Sequence, residues 1–161
     1  MPVVSLDLEA ATGLHCFVRQ NDGTVDLTTP FTHALFGHDA TNADAPAYGL
    51  LYAKDLGGLS GAGACDQVAG HETSTWPLVE VDWVHAPVAG AGITATLGTH
   101  VDAPNDKIYL TVNNCVAYHY ATATDVTAAL AGVGTYWPIF KPDGTRAEVA
   151  CVGSPAGPPP S

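Results

Sequence analysis

Glu80 and Asp82, two carboxylates one residue apart in the strand-like run Leu78-Val-Glu-Val-Asp-Trp-Val-His85, are of a type and spacing that can do chemistry. On a strand they share a face about 7 Å apart, a separation that suits the paired acid and base or nucleophile of glycoside hydrolysis. Histidines and carboxylates also fall in two groups with metal-binding potential, His33 with His38 and Asp39, and Asp66 with His71 and Glu72. A five-residue spacing does not put two side chains on one face of a strand, so either site would have to close in a loop. The segment His38-Asp-Ala-Thr-Asn-Ala-Asp44 offers oxygens that calcium takes, without the ordered D-x-D-x-D-G pattern of a calcium loop. Asx-rich turns account for it without a metal, so we expect no cofactor, calcium being the one candidate ion. The chain has no G-x-S-x-G, and its Gly run at 57–63 leads to no Lys-Thr pair or helix start for cradling phosphate.

Two short stretches resemble known active sites. Glu80-Val-Asp-Trp-Val-His85 is similar to the E-x-D-x-x-E strand of the laminarinase and lichenase β-glucanases, which are jelly rolls. The resemblance implies Glu80 as nucleophile and Asp82 as its neighbour, but His85 stands where the acid/base Glu belongs. Thr96-Leu-Gly-Thr-His-Val-Asp-Ala-Pro-Asn-Asp106 resembles the H-x-G-T-H-x-D-x-P-x-H metal motif of the cyclase and kynurenine-formamidase family through Gly98, Thr99, His100, Asp102 and Pro104. Thr96 and Asp106 replace two of its histidines, and a neutral Thr is a poor ligand there. The two stretches imply incompatible chemistries, and each lacks a residue its chemistry needs.

The aromatic residues are the remaining resource. Most belong to a core or to cross-strand pairs, and an exposed subset can stack on sugars or be buried at a protein interface. Trp76, Trp83, Tyr118, Tyr120 and Trp137 are the expected binding residues. Cys16, Cys65, Cys115 and Cys151 form no C-x-x-C pair, which leaves either two disulfides among them or four buried thiols.

Three hairpins must position these groups. Leu14–Arg19 and Thr24–Leu27 flank a turn with Asp22-Gly23; Lys107–Val112 and Cys115–Tyr120 are separated by Asn113-Asn114 alone; Tyr136–Phe140 and Arg146–Val152 are joined through Lys141-Pro-Asp-Gly-Thr145. Asn and Gly are the residues that tolerate the positive φ of tight antiparallel turns. Further strand-like runs cover Val3–Leu8, Phe31–Phe36, Ala47–Ala53, Leu78–Val84 and Ile93–Leu97, and one short helix is expected at 125–131 after Thr124. About ten short strands with Gly, Pro and Asx turns predict an all-β fold, an antiparallel β-sandwich or jelly roll, as a single domain over 1–152 with a Gly-rich loop at 55–70. Residues 153–161, Gly-Ser-Pro-Ala-Gly-Pro-Pro-Pro-Ser, cannot pair in a sheet and should run extended.

Composition narrows the function. Five basic residues against sixteen acidic give a formal charge of −11, and the five are scattered singly, which argues against nucleic acid and anionic membranes as partners. No apolar run reaches bilayer length, and the N-terminal residues lack the pattern of a signal peptide. With no complete catalytic set and a surface finished in Thr, Ala and Gly, the leading expectation is a non-enzymatic structural or binding β module. It would be a virion or extracellular assembly component such as a decoration, tail or fibre protein, a homo-oligomer or part of a larger assembly. The alternatives are a secreted lectin-like module that binds glycans, and a small jelly-roll hydrolase using Glu80 and Asp82.

Overall fold

Asn113 and Asn114 adopt φ of 48° and 68°, and this left-handed pair folds β8 (Lys107–Val112) back onto β9 (Cys115–Val116) with Val112 opposite Cys115. Those angles are the reason two Asn suffice where most residues would be strained. In a computed structural model of the chain, the described residues are 4–10, 16–19, 25–26, 33–39, 49–56, 65–67, 70–81, 86–122 and 137–151. The expected helix at 125–131, most of the 55–70 loop and residues 153–161 lie outside them.

The fold is all-β. The remaining strands are β1 (Val4–Ala10), β2 (Cys16–Arg19), β3 (Val25–Asp26), β4 (His33–Asp39), β5 (Gly49–Leu50), β6 (Val88–Ala89), β7 (Leu97–Asp102), β10 (Ile139–Phe140) and β11 (Arg146–Cys151). They form three ladders, ordered β5-β4-β1-β6, β10-β11-β2-β3 and β7-β8-β9. Pairing is antiparallel except between β1 and β6, a two-residue parallel contact. All three expected hairpins pair as strands: β2 with β3, β8 with β9 and β10 with β11. In the last, the Lys141 amide donates to the Thr145 carbonyl at 2.7 Å, and Gly144 supplies a φ of 83°. The run expected over Ile93–Leu97 becomes strand only from Leu97, because Thr94 and Ala95 donate instead to the Pro142 carbonyl in the neighbouring turn.

One apolar core serves the three ladders. Val4 and Leu6 of β1, Leu35 of β4, Leu110 and Val112 of β8, and Phe140 of β10 meet there with Leu51, Val79 and Val81, all essentially inaccessible. Removing that much aliphatic surface from water is the main driving force for the fold. The segment Leu51-Tyr-Ala53 stitches the ladders together. Leu51 donates to Leu35, Tyr52 and Tyr118 exchange two backbone bonds, Ala53 donates to Pro138, and Phe140 donates to Leu51. Among the described residues no helix is long and apolar enough to cross a membrane.

Candidate functional site

Two isolated bridges determine where the aromatic residues meet. Leu78 is antiparallel to Tyr118, and Tyr52 is bridged to both Tyr118 and Ile139. Four extended segments therefore lie side by side, 75–79, 117–121, 51–54 and 137–140, and the pleat puts alternate residues of each on one face. Extending the registers makes Trp76 the cross-strand neighbour of Tyr120, and Lys54 that of Trp137. Tyr118 and Tyr52 lie between.

The side chains follow that backbone plan. Trp76 and Trp137 stack with centroids 4.3 Å apart and planes within 4°, and Tyr120 stacks on Trp76 at 4.6 Å. Lys54 Nζ sits 4.5 Å over the Trp137 ring, a cation on the face that Trp76 leaves open. Tyr52 and Tyr118, both fully buried, form the floor and meet Trp76 and Trp137 at right angles, at 4.8 and 5.0 Å. The ladder itself is half-buried. Among the described residues no hydrogen bond engages the indole N–H of Trp76 or Trp137 or the Tyr120 hydroxyl, and none of the three is a buried unsatisfied atom. The ladder therefore carries three polar groups that no hydrogen bond among the described residues engages.

Beneath Tyr118 lies a carboxylate, Asp66, with its side chain wholly removed from solvent. Its Oδ2 accepts from the Tyr118 hydroxyl at 2.5 Å, from the Gly70 amide at 3.1 Å and from His71 Nδ1 at 3.1 Å. Burial, reinforced by the hydrogen bond to Asp66, pushes the Tyr118 phenol far above its ordinary range, so it stays a donor. Burial and then Tyr120 do the same to Tyr52. The disulfide Cys65–Cys115, with Cα atoms 5.7 Å apart, fixes the residue before Asp66 to the start of β9. The Asp55–Cys65 bridge closes the base of the Gly-rich loop.

Of the five aromatic residues singled out from sequence, Trp76, Tyr118, Tyr120 and Trp137 converge, and Trp83 lies outside the described residues. Tyr52, Lys54, Asp66 and His71 complete the site. The pairing of Asp66 with His71 was anticipated only as a metal group, and among the described residues no three His, Cys, Asp or Glu side chains are placed to hold an ion. His71 is 42% exposed and oriented by a buried carboxylate, as in the supporting half of a hydrolase triad. No side-chain hydroxyl or thiol among the described residues is hydrogen-bonded to its imidazole. Among the described residues the other stretches do not assemble a site. Glu80 is engaged by Lys107 Nζ at 2.6 Å, and Asp82 and His85 are not described. Asp102 accepts from Asn105 in the 3-10 turn at 103–105 that joins β7 to β8, the strand-and-turn arrangement that needs no metal. His38 pairs with Asp7 across β1 and β4, while His33 sits at the far end of β4, opposite Ala10.

Fold and site together define an all-β chain with a surface aromatic ladder over a buried Asp–Tyr–His contact. No protein family matches the chain, and neither does any curated protein or solved structure.

Proposed function

We propose that this chain is a non-enzymatic β module that acts by binding other protein subunits, as a component of an assembly, through the ladder of Trp76, Trp137 and Tyr120. The observation that carries the reading is the stack of half-buried rings whose indole N–H and hydroxyl groups no hydrogen bond among the described residues engages. Tyr and Trp with a packed body and an open polar edge are the residues on which interface energy concentrates. The Cys65–Cys115 disulfide supports an oxidising setting, such as an extracellular structure or a virion surface.

Glycan binding uses the same rings but needs open faces. Both faces of Trp76 are taken by Trp137 and Tyr120, and those of Trp137 by Trp76 and Lys54. Among the described residues the outer face of Tyr120 is the one ring face left for a sugar, whereas no hydrogen bond engages the polar groups that a protein partner would use. For hydrolysis, the Lys107 ion pair already occupies Glu80. Sedimentation velocity from micromolar to millimolar protein tests the reading, with concentration-dependent association expected for the native chain and loss of it in Trp137→Ala. A native chain that stays monomeric throughout, or that binds on a glycan array, overturns it.

A further inference from the structure

Two of the three polar groups of the ladder only donate: an indole N–H has no acceptor lone pair, and among the described residues neither that of Trp76 nor that of Trp137 is hydrogen-bonded, while the Tyr120 hydroxyl can donate beside them. A complementary partner is a backbone rich in free carbonyls and poor in N–H groups. A polyproline II helix has that chemistry, since it makes no internal hydrogen bonds and each Pro lacks an N–H. Its turn advances about 9 Å over three residues, and the ring spacings of 4.3 and 4.6 Å carry the ladder through nearly the same length. Prolines three apart would then meet opposite ends of the ladder.

This chain contains such a segment. Gly153-Ser-Pro-Ala-Gly-Pro-Pro-Pro-Ser161 carries Pro155 and Pro158 at that spacing, followed by Pro159 and Pro160. It follows β11, which pairs with β10 through Phe140 opposite Arg146 and Ile139 opposite Ala147. Continuing that register brings Val149 level with Trp137. β11, the strand beside the ladder, leads into this segment, and nine residues in polyproline II conformation would span about 28 Å.

We infer that the ladder is the receptor for the proline-rich segment 153–161 of a second copy of this chain, the segment lying across Trp137, Trp76 and Tyr120 as a polyproline II helix. The inference rests on the assembly reading and names its partner. Prolines at four of its nine positions favour an extended conformation for this segment, which suits reaching a second copy better than doubling back on its own sheet. Docking between copies joins two different surfaces, so the contact is head to tail and propagates into a ring or a chain.

The test uses the full chain in three forms: native, a tail variant with Pro155, Pro158, Pro159 and Pro160 changed to Ser, and Trp76→Phe, which keeps a ring and loses the donor. Sedimentation velocity reads association, and a free peptide of residues 153–161 is titrated into the tail variant while its indole N–H resonances are followed. Association is expected to fall at least about tenfold in both variants, and the peptide to bind the tail variant saturably and shift the Trp76 and Trp137 signals. If the tail variant associates like the native chain, the segment is not the ligand and the assembly reading survives alone. If the peptide binds but the native chain is monomeric throughout, the segment docks within its own chain and the second-copy inference falls. If nothing associates and no peptide binds, both readings fall together.

Discussion

A carboxylate sealed from water depends on its donors, and those of Asp66 include Tyr118, His71 and the Gly70 amide. Tyr118→Phe removes the donor that is itself fully buried, and losing that hydrogen bond to a buried carboxylate should cost about 1–3 kcal/mol in urea unfolding. His119 carries a second consequence at this scale. Burial lowers its pKa below the ordinary 6.5, so the unfolded chain takes up a proton at a higher pH than the folded one. Its contribution to stability is complete above about pH 6.5 and is lost as the pH falls from there toward the folded pKa. Unfolding free energies measured across that window should slope downward with acid, and His119→Gln should flatten the slope. An equal slope in the variant would assign it to another group.

At the scale of elements, the turn at Asn113 does more than reverse the chain. Its Oδ1 accepts from the Thr96 amide at 2.8 Å and its Nδ2 donates to the Asp143 carbonyl at 3.2 Å, so one side chain ties β8, the entry to β7 and the β10–β11 turn together. Asn113→Ala loses both bonds and a residue suited to positive φ, and a destabilisation of about 1–2 kcal/mol is expected, read as a lower urea midpoint. The Cys65–Cys115 crosslink spans 50 residues, for which loop-closure entropy predicts about 4 kcal/mol, so replacing both cysteines by Ser should lower Tm by roughly 10 °C. Intact mass measured before reduction tests the other cysteines. Cys151 stands opposite Cys16 in the β11–β2 register, a placement that suits a cross-strand disulfide, and a deficit of four hydrogens against the reduced chain is expected. The hairpins were legible in sequence because Asn113-Asn114 and Pro142-Asp-Gly144 carry their turn chemistry locally. The ladder was legible only as a set of residue types. Which strand lies beside which is settled by the bridges of Tyr52, and no local pattern in Ala47–Ala53 tells that Lys54 will face Trp137. Asp66 was legible only as part of a metal group with His71 and Glu72, and nothing local told of its burial beside a crosslink from Cys65 to a residue 50 positions away.

For the whole molecule, the formal charge of −11 opposes any meeting of two copies. Association through a ladder of rings and donors draws little on charge, so salt should act mainly by screening the repulsion. The oligomer is therefore expected to strengthen as ionic strength rises, the reverse of a phosphate-binding protein, and sedimentation over a salt series would show it. The stitch at Leu51-Tyr-Ala53 has a consequence for synthesis. Its partners Tyr118, Pro138 and Phe140 all lie in the second half of the chain. At about 5–20 residues per second, the segment waits on the order of ten seconds before the last of them leaves the ribosome. For that interval Leu51 has its partner Leu35 in the paired strands β1 and β4 but none of its later ones, and the nascent first half carries an open strand edge. A chain interrupted before Phe140 should precipitate or recruit a chaperone, because the interior closes only when its last strands arrive.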